Sequence, residues 1–323
     1  MFVVGCAKKQ LPVNCKLLIN NGLRLGFGCW PIGGDSYGPT HDAESISALR
    51  AALDAGIKVY DTSNIYGSGH SESLLAEAFA HMRDQVVLST KAGYTHYATR
   101  SQAFSEASIR KSLESSLSRL RTDHVDVLFL HSPPSEVISN GEAHDVLCQL
   151  QKEGKIIAKG VSVKEPKDGL LALDVADYEC IQVTYNLLDQ EAALNGLLDR
   201  ARTLGITVLA KAPLCFGFLN GRYNGVTAFP ANDHRRKIAS SKREFWAAGA
   251  EILRTRLENL ARSLLQVALQ FILAEPLVIP IPGMKTPSQV AENVRATSLP
   301  PLSSEQILLC RQIYLDCLAS TPP

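Results

Sequence analysis

The chain has 323 residues, 46% hydrophobic and 20% charged, with a formal net charge of +1. That is the composition of an ordinary globular protein, and the near-zero charge excludes a strong field for nucleic acid or an anionic membrane. No apolar run approaches the ~18 residues a spanning helix needs.

The eight cysteines are scattered, with no CxxC pair. They read as reduced, mostly buried thiols in a cytoplasmic protein, and no metal is expected. Val3-Val4-Gly5-Cys6 superficially resembles a lipoprotein cleavage site. It lacks a basic leader and an apolar segment of signal length, so a ragged N-terminus is expected instead.

In chain order, Lys16 to Leu25 reads as an N-terminal β-hairpin, with Asn20-Asn21-Gly22 between two apolar runs. Residues 25–28 can continue into a first core strand. An alternation follows. Helix 42–55 stops at Gly56 before strand 57–61, and helix 71–82, with Ser71 as N-cap, leads to strand 86–90. Helix 105–121, with Ile109, Leu113, Leu117 and Leu120 on one face, leads to strand 125–130. Helix 143–153 precedes strand 156–161, helix 167–175 precedes strand 180–183, and helix 190–204 precedes strand 206–210. A long helix at about 246–274 leads to strand 277–281, and a last helix covers roughly 303–318.

Gly56, Gly154 and Gly205 each close a helix before a β-branched strand, the position that favours a left-handed residue. Eight strands apolar on both faces, most about 25–40 residues apart, imply a parallel sheet wrapped by helices. Eight units suggest a closed (β/α)8 barrel. An open doubly wound sheet is the rival, but no GxGxxG follows the first strand. No linker divides the chain, so 1–323 reads as one domain. The extra length before the eighth strand falls at 213–250, as a loop on the ligand face.

The strand ends carry the chemistry. They present Gly28, Cys29 and Trp30, then Asp61 with Tyr66 in its loop, then Lys91, His131, Ser162, Gln182 and Lys211. A lone Asp at a strand end is ordinarily a turn or cap residue, and a lone Tyr ordinarily packs. In a barrel, however, these ends converge on one mouth. A Lys ammonium about 4 Å from a phenol contributes roughly 4 kcal/mol at an effective dielectric of about 20. That brings Tyr66 within reach of neutral pH as a general acid. Asp61 would orient Lys91, and His131 would polarise a carbonyl. The set fits reversible proton transfer at a carbonyl, and a redox version needs a bound cofactor.

These residues resemble the aldo-keto reductases, nicotinamide-dependent (β/α)8 barrel oxidoreductases. The resemblance runs from about Leu25 to Asn293. It rests on Gly-Cys-Trp-Pro-Ile-Gly-Gly (28–34), Asp-Thr-Ser-Asn-Ile-Tyr-Gly (61–67), Thr-Lys-Ala-Gly (90–93) and Val-Asp-Val-Leu-Phe-Leu-His (125–131). Gly-Val-Ser (160–162), Gln-Val-Thr-Tyr-Asn (182–186), Ala-Pro-Leu (212–214), Asn-Asp-His-Arg (232–235) and Ile-Pro-Gly-Met-Lys-Thr-Pro-Ser-Gln (281–289) extend it. It implies Tyr66 as general acid, with Asp61, Lys91 and His131 completing a tetrad. Ser162 and Gln182 would hold the nicotinamide carboxamide, and 283–293 the adenosine end. Gly28, Cys29, Trp30, Lys211, Pro213, Leu214, Gly217 and Leu219 would line the cofactor path. Gly283, Lys285, Thr286, Gln289, Glu292 and Asn293 would finish it.

Thr286-Pro287-Ser288-Gln289 also reads locally as a capping box with Pro at N1. A helix N-terminus there, with Lys285, would receive a phosphate. A 2′-phosphate makes NADP(H) the favoured cofactor, with NAD(H) open because Gln289 stands where many NADP-dependent relatives carry Arg. Two further departures stand out. Val163 replaces a frequent Asn, so carboxamide anchoring rests on Ser162 and Gln182. Lys211 replaces a frequent aromatic ring, which alters cofactor affinity or admits an anionic substrate.

The leading function is reduction of aldehydes or ketones, or oxidation of matching alcohols or sugars. A cofactor-free aldolase with Lys91 as Schiff-base nucleophile and a nicotinamide-binding regulatory subunit are the alternatives. The expected pocket is open and lined by Trp30, Tyr66, His96 or Tyr97, and residues of 216–230.

Overall fold

A computed structural model describes residues 22–96, 99 and 101–320. The hairpin expected at 16–25 lies outside these, apart from 22–25. The barrel strands are β1 (Gly26–Gly28), β2 (Val59–Asp61), β3 (Val87–Ala92), β6 (Val125–His131), β7 (Ile156–Ser162), β8 (Cys180–Thr184), β9 (Thr207–Lys211) and β10 (Val278–Pro280). A small antiparallel pair, β4 (Tyr94–His96) and β5 (Ser101–Gln102), follows β3.

The eight barrel strands pair in parallel in the order β1-β2-β3-β6-β7-β8-β9-β10. Gly28 closes the ring: its N–H donates to Pro282 O at 2.9 Å, and it bridges Gly283 in parallel. The architecture is the (β/α)8 barrel read from the sequence.

Successive strand residues point to opposite faces. Val59, Val87, Val127, Phe129, Ala158, Cys180, Leu209, Ile279 and Ile281 form the inner core. A much larger cluster lies between strands and helices. Asp61 lies two residues beyond Val59, and the same step leads from Phe129 to His131, from Cys180 to Gln182 and from Leu209 to Lys211. Alternation therefore turns these polar residues onto the inner face, one layer above the apolar plug. Gly160 makes room inside: a Cβ there would sit 2.4 Å from a Phe129 ring carbon.

The helices are α1 (Asp42–Asp54), α2 (His70–Ala78), α3 (Glu106–Leu120), α4 (Ser135–Asn140), α5 (Glu142–Lys152) and α6 (Pro166–Val175). Then come α7 (Glu191–Leu194), α8 (Leu197–Leu204), α9 (Ser240–Arg256), α10 (Leu264–Leu273), α11 (Pro287–Thr297) and α12 (Ser304–Ser320). Gly56, Gly154 and Gly205 have φ of 95°, 73° and 72°, as the helix-closing reading requires.

Several local expectations are corrected. Ser71 is not an N-cap. α2 starts at His70 with Gly69 in the cap position, and Ser71 Oγ instead donates to Cys29 O at 3.0 Å. The single helix expected at 190–204 is interrupted by Gly196 at φ 85°. The one expected at about 246–274 breaks at Ala261 (φ 50°), after which Ser263 and Gln266 form a capping box that opens α10. The long segment after β9 also ends earlier than 250, because α9 begins at Ser240.

Candidate active site

Asp61 and Lys91 are both buried at the mouth of the barrel, from adjacent strands. Lys91 Nζ donates to Asp61 Oδ2 at 2.8 Å, to Thr62 O at 2.6 Å and to Tyr66 Oη at 3.3 Å. The ammonium's three hydrogens thus have three acceptors. Asp61 Oδ1 accepts from Ser89 Oγ and from Gln182 Nε2, both at 2.8 Å. The carboxylate is therefore held by a cation and two neutral donors, which fixes its orientation in a site with little water.

Tyr66 reaches this ammonium because of its backbone. It opens a short 3-10 stretch, Tyr66–Gly69, in which Gly67 (φ 59°) and Ser68 (φ 54°) are left-handed. Gly67 packs so closely on the loop after β1 that a Cβ would lie 2.1 Å from Gly33 O. The phenol ring stacks on Trp30 at 5.9 Å between centroids.

His131 completes the group from the end of β6. Its ring meets Tyr66 edge-on, with centroids 6.4 Å apart, and packs edge-on with Tyr94 at 4.7 Å. Its Nδ1 lies 3.3 Å from Ser63 Oγ. Burial, then the ammonium groups of Lys91, Lys211 and Lys164, hold the imidazole well below the usual histidine range. His131 is therefore neutral at pH 7, with one ring nitrogen a donor and the other an acceptor. The four ionisable side chains expected to meet do meet.

Ser162 and Gln182 lie directly opposite each other on β7 and β8. Ser162 Oγ donates to Gln182 Oε1 at 2.9 Å, and Gln182 in turn donates to Asp61. Their linkage to the carboxylate was not foreseen, since pairing across a barrel cannot be read from residues 121 positions apart.

Lys211 Nζ donates to Val163 O at 2.6 Å. Burial, with Lys91 adding repulsion, brings its pKa down to about 8.

A cavity of about 690 Å³ runs from Asp61, Tyr66 and His131 past Ser162, Gln182 and Lys211 to Gly283, Lys285 and Gln289, within the size range of ligand sites. Gly28, Trp30, Pro213, Leu214 and Gly217 also line it. Cys29 and Leu219 are fully buried in the core and are not part of its wall. Of the expected outer wall, His96 is exposed and Tyr97 lies outside the described residues, while Tyr94 lines the cavity.

Lys164, Tyr37, His234 and Lys242 are lining residues that sequence reasoning did not single out. Arg235, quoted only as part of a motif, is held by Asp233 at 2.5 Å and lies over the rings of Tyr37, Tyr223 and Phe229. His234 N–H donates to Ser36 O at 2.9 Å, tying this segment to the loop after β1. The aromatic residues around 216–229 were the available signal for this wall.

At the far end, Thr286 caps α11 by accepting from Gln289 N–H at 3.2 Å, with Pro287 at the first helical position. The reciprocal bond of the expected capping box goes one residue further back: Gln289 Oε1 accepts from Lys285 N–H at 2.7 Å. Lys285 Nζ donates to Tyr37 O at 3.2 Å and Pro39 O at 3.4 Å. Asn293 is buried with its Oδ1 lacking a hydrogen-bond partner, although its Nδ2 donates to Gln289 O. A buried acceptor without a donor is costly unless a ligand supplies one. Thr286, Glu292 and Asn293 lie beside the cavity rather than on its wall. Gly283, Lys285 and Gln289 form the wall at this end of the cavity.

The sequence profile of the Aldo/keto reductase family matches residues 24–315. The chain belongs to the aldo/keto reductase family. This aldo/keto reductase is 33% identical to Aldo-keto reductase YhdN of Bacillus subtilis over 279 residues, which cover 83% of this chain and 82% of that one. It is 30% identical to Aldo-keto reductase yakc [NADP(+)] of Schizosaccharomyces pombe, covering 84% of this chain and 83% of that one. Among solved structures, the glycerol dehydrogenase AKR11B4 of Gluconobacter oxydans superposes with a TM-score of 0.76 at 30% identity, over 93% of each chain. Membership makes this chain an oxidoreductase. No helix among the described residues of this aldo/keto reductase is long and apolar enough to cross a membrane.

Proposed function

We propose that this chain is a single-domain, cytoplasmic NADP(H)-dependent oxidoreductase over 1–323 that reduces small aldehydes and ketones, or oxidises the matching alcohols or sugars. The observation that carries the reading is the contact of Tyr66 Oη with a buried ammonium, Lys91 Nζ at 3.3 Å, itself bound to Asp61. A cation at that distance favours the phenolate over the phenol and lowers the cost of giving up the proton. Tyr66 then donates its proton to a carbonyl oxygen as that oxygen gains electron density, and takes it back in the reverse direction. His131, neutral, offers a ring N–H to the same oxygen and places the carbonyl carbon. Asp61 keeps the Lys91 ammonium aimed at Tyr66.

The bound nicotinamide supplies or accepts the hydride. In this reading, Ser162 and Gln182 hold its carboxamide edge, and Asn293 and Glu292 receive the adenine end. Lys285 and the N-terminus of α11 take the 2′-phosphate. The position of Lys285 on the cavity wall supports this, as does the NADP(+) named for the fission-yeast relative. The glycerol named for the Gluconobacter relative points to small polyols and their aldehydes.

A Schiff-base role for Lys91 is disfavoured by chemistry: its Nζ is committed to three acceptors, two of them closer than 3 Å. Tyr66→Phe tests the proposal. Turnover with glyceraldehyde and NADPH should fall about 100- to 10,000-fold, the range of a lost general acid. NADPH affinity, read by quenching of protein fluorescence, should stay within about a factor of three. A variant that still turns over at the parent rate removes Tyr66 from the acid role.

A further inference from the structure

Outside the barrel, one side-chain cluster takes no part in this chemistry. Ala158 lies in the inner core, so its neighbour Lys159 points outward from β7, toward α5 and the 176–179 loop. There Lys159 Nζ donates to Asp177 Oδ1 at 2.7 Å and to Cys148 Sγ at 3.5 Å. His144 stands one helical turn before Cys148 on α5, with Nε2 2.8 Å from the same Asp177 oxygen. Cys148 Sγ lies 3.7 and 3.8 Å from the two His144 ring nitrogens. Among the described residues, this is the one group of three His, Cys, Asp or Glu donor atoms within 4.8 Å of one another.

We propose that His144, Cys148 and Asp177 form a binding site for a zinc-class divalent cation, in the place that the Lys159 ammonium otherwise fills. Bonds of about 2.0–2.3 Å in tetrahedral zinc sites put donor atoms roughly 3.3–3.8 Å apart. The Nε2–Sγ separation of 3.8 Å lies at the upper end of that range, the imidazole–carboxylate pair has to open by about half an ångström, and all three donor atoms lie within 4.8 Å of one another. Sγ is nearly equidistant from the two ring nitrogens. A rotation of the Cys148 side chain brings it alongside Nε2, and spacing of i, i+4 keeps both donors on one helix face. Tyr178 packs edge-on against the imidazole at 4.8 Å and fixes its plane.

The charges also fit. A thiolate and a carboxylate carry two negative charges, which a divalent ion neutralises beside a neutral imidazole. With the thiol protonated, one ammonium balances the carboxylate alone. Asp177, with its side chain 79% exposed, gives the ion a route in and Lys159 a route out.

The test is a zinc titration of the full chain against a competing chromophoric chelator, with a parallel cobalt(II) titration read by its thiolate charge-transfer band. Wild type should bind one ion that Cys148→Ser does not hold. Losing a direct ligand should cost more than the roughly 10–100-fold typical of outer-shell partners, and the cobalt band should vanish. Lys159→Met should bind zinc more tightly than wild type, because no ammonium has to leave. Equal binding by wild type and Cys148→Ser, or no strengthening in Lys159→Met, would overturn the proposal. Neither readout depends on carbonyl turnover, so it stands or falls separately from the tetrad.

Discussion

Replacing Lys211 with methionine should stabilise the protein at neutral pH. Lys211 sits among cations with its pKa brought from the usual 10.5 to about 8, first by burial and then by Lys91. Holding it charged at pH 7 therefore costs about 3 kcal/mol relative to the unfolded chain. Lys211→Met removes that cost and also removes the bond to Val163 O. Val163 is fully buried, so its carbonyl is left without a donor, a loss of about 2 kcal/mol. The net gain is about 1 kcal/mol at pH 7.

The sign with pH is distinctive, because the folded pKa lies below the unfolded one. Below pH 8 both states of wild type hold the proton, and the cost is constant. Between pH 8 and 10.5 the folded state has released it while the unfolded state keeps it, so wild type gains about 1.4 kcal/mol per pH unit relative to the variant. The advantage of Lys211→Met should shrink through this window and reverse by about 2 kcal/mol near its upper end. Urea unfolding of both proteins without cofactor at pH 7, 8, 9 and 10 reads this directly. A less stable variant at pH 7, or a difference that does not change with pH, refutes the argument.

Three further outcomes are expected. Lys285→Ala should weaken NADPH binding about 10- to 100-fold, the worth of a charge-assisted hydrogen bond, and leave NADH within about threefold; titration of both by fluorescence tells whether a 2′-phosphate is contacted. Gly67→Ala forces a methyl into Gly33 O at a left-handed position. It should cost at least about 2 kcal/mol in urea unfolding and lower kcat with little change in cofactor affinity, since the Tyr66 loop has to move. Ser263→Ala removes one half of the capping box of α10 and should cost about 1 kcal/mol with kcat/KM unchanged.

Much was legible because short-range rules governed it. The alternation of helices with strands and the polar residues at the strand ends could be read locally, and in the folded barrel period-two alternation turns Asp61, His131, Gln182 and Lys211 inward. Glycine's tolerance of positive φ marked the ends of α1, α5 and α8. Helix breaks were harder. The split at 257–263 turned on one cap, Ser263, inside an apolar run that periodicity reads as continuous. Ser71 looked like a cap because its residue type suits one, but the hydroxyl was taken by Cys29 O from another loop.

What the chain alone determined, then, is the set of strands and the polar residues at their ends, because these depend on neighbours a few residues away. Only the folded barrel decided that Gln182 would bond Asp61, that Arg235 would lie among Tyr37, Tyr223 and Phe229, and that Lys159 would sit between Cys148 and Asp177. Those contacts join different strands, helices and loops, and their distances are set by how the sheet closes and how the helices lie on it, which no local pattern encodes.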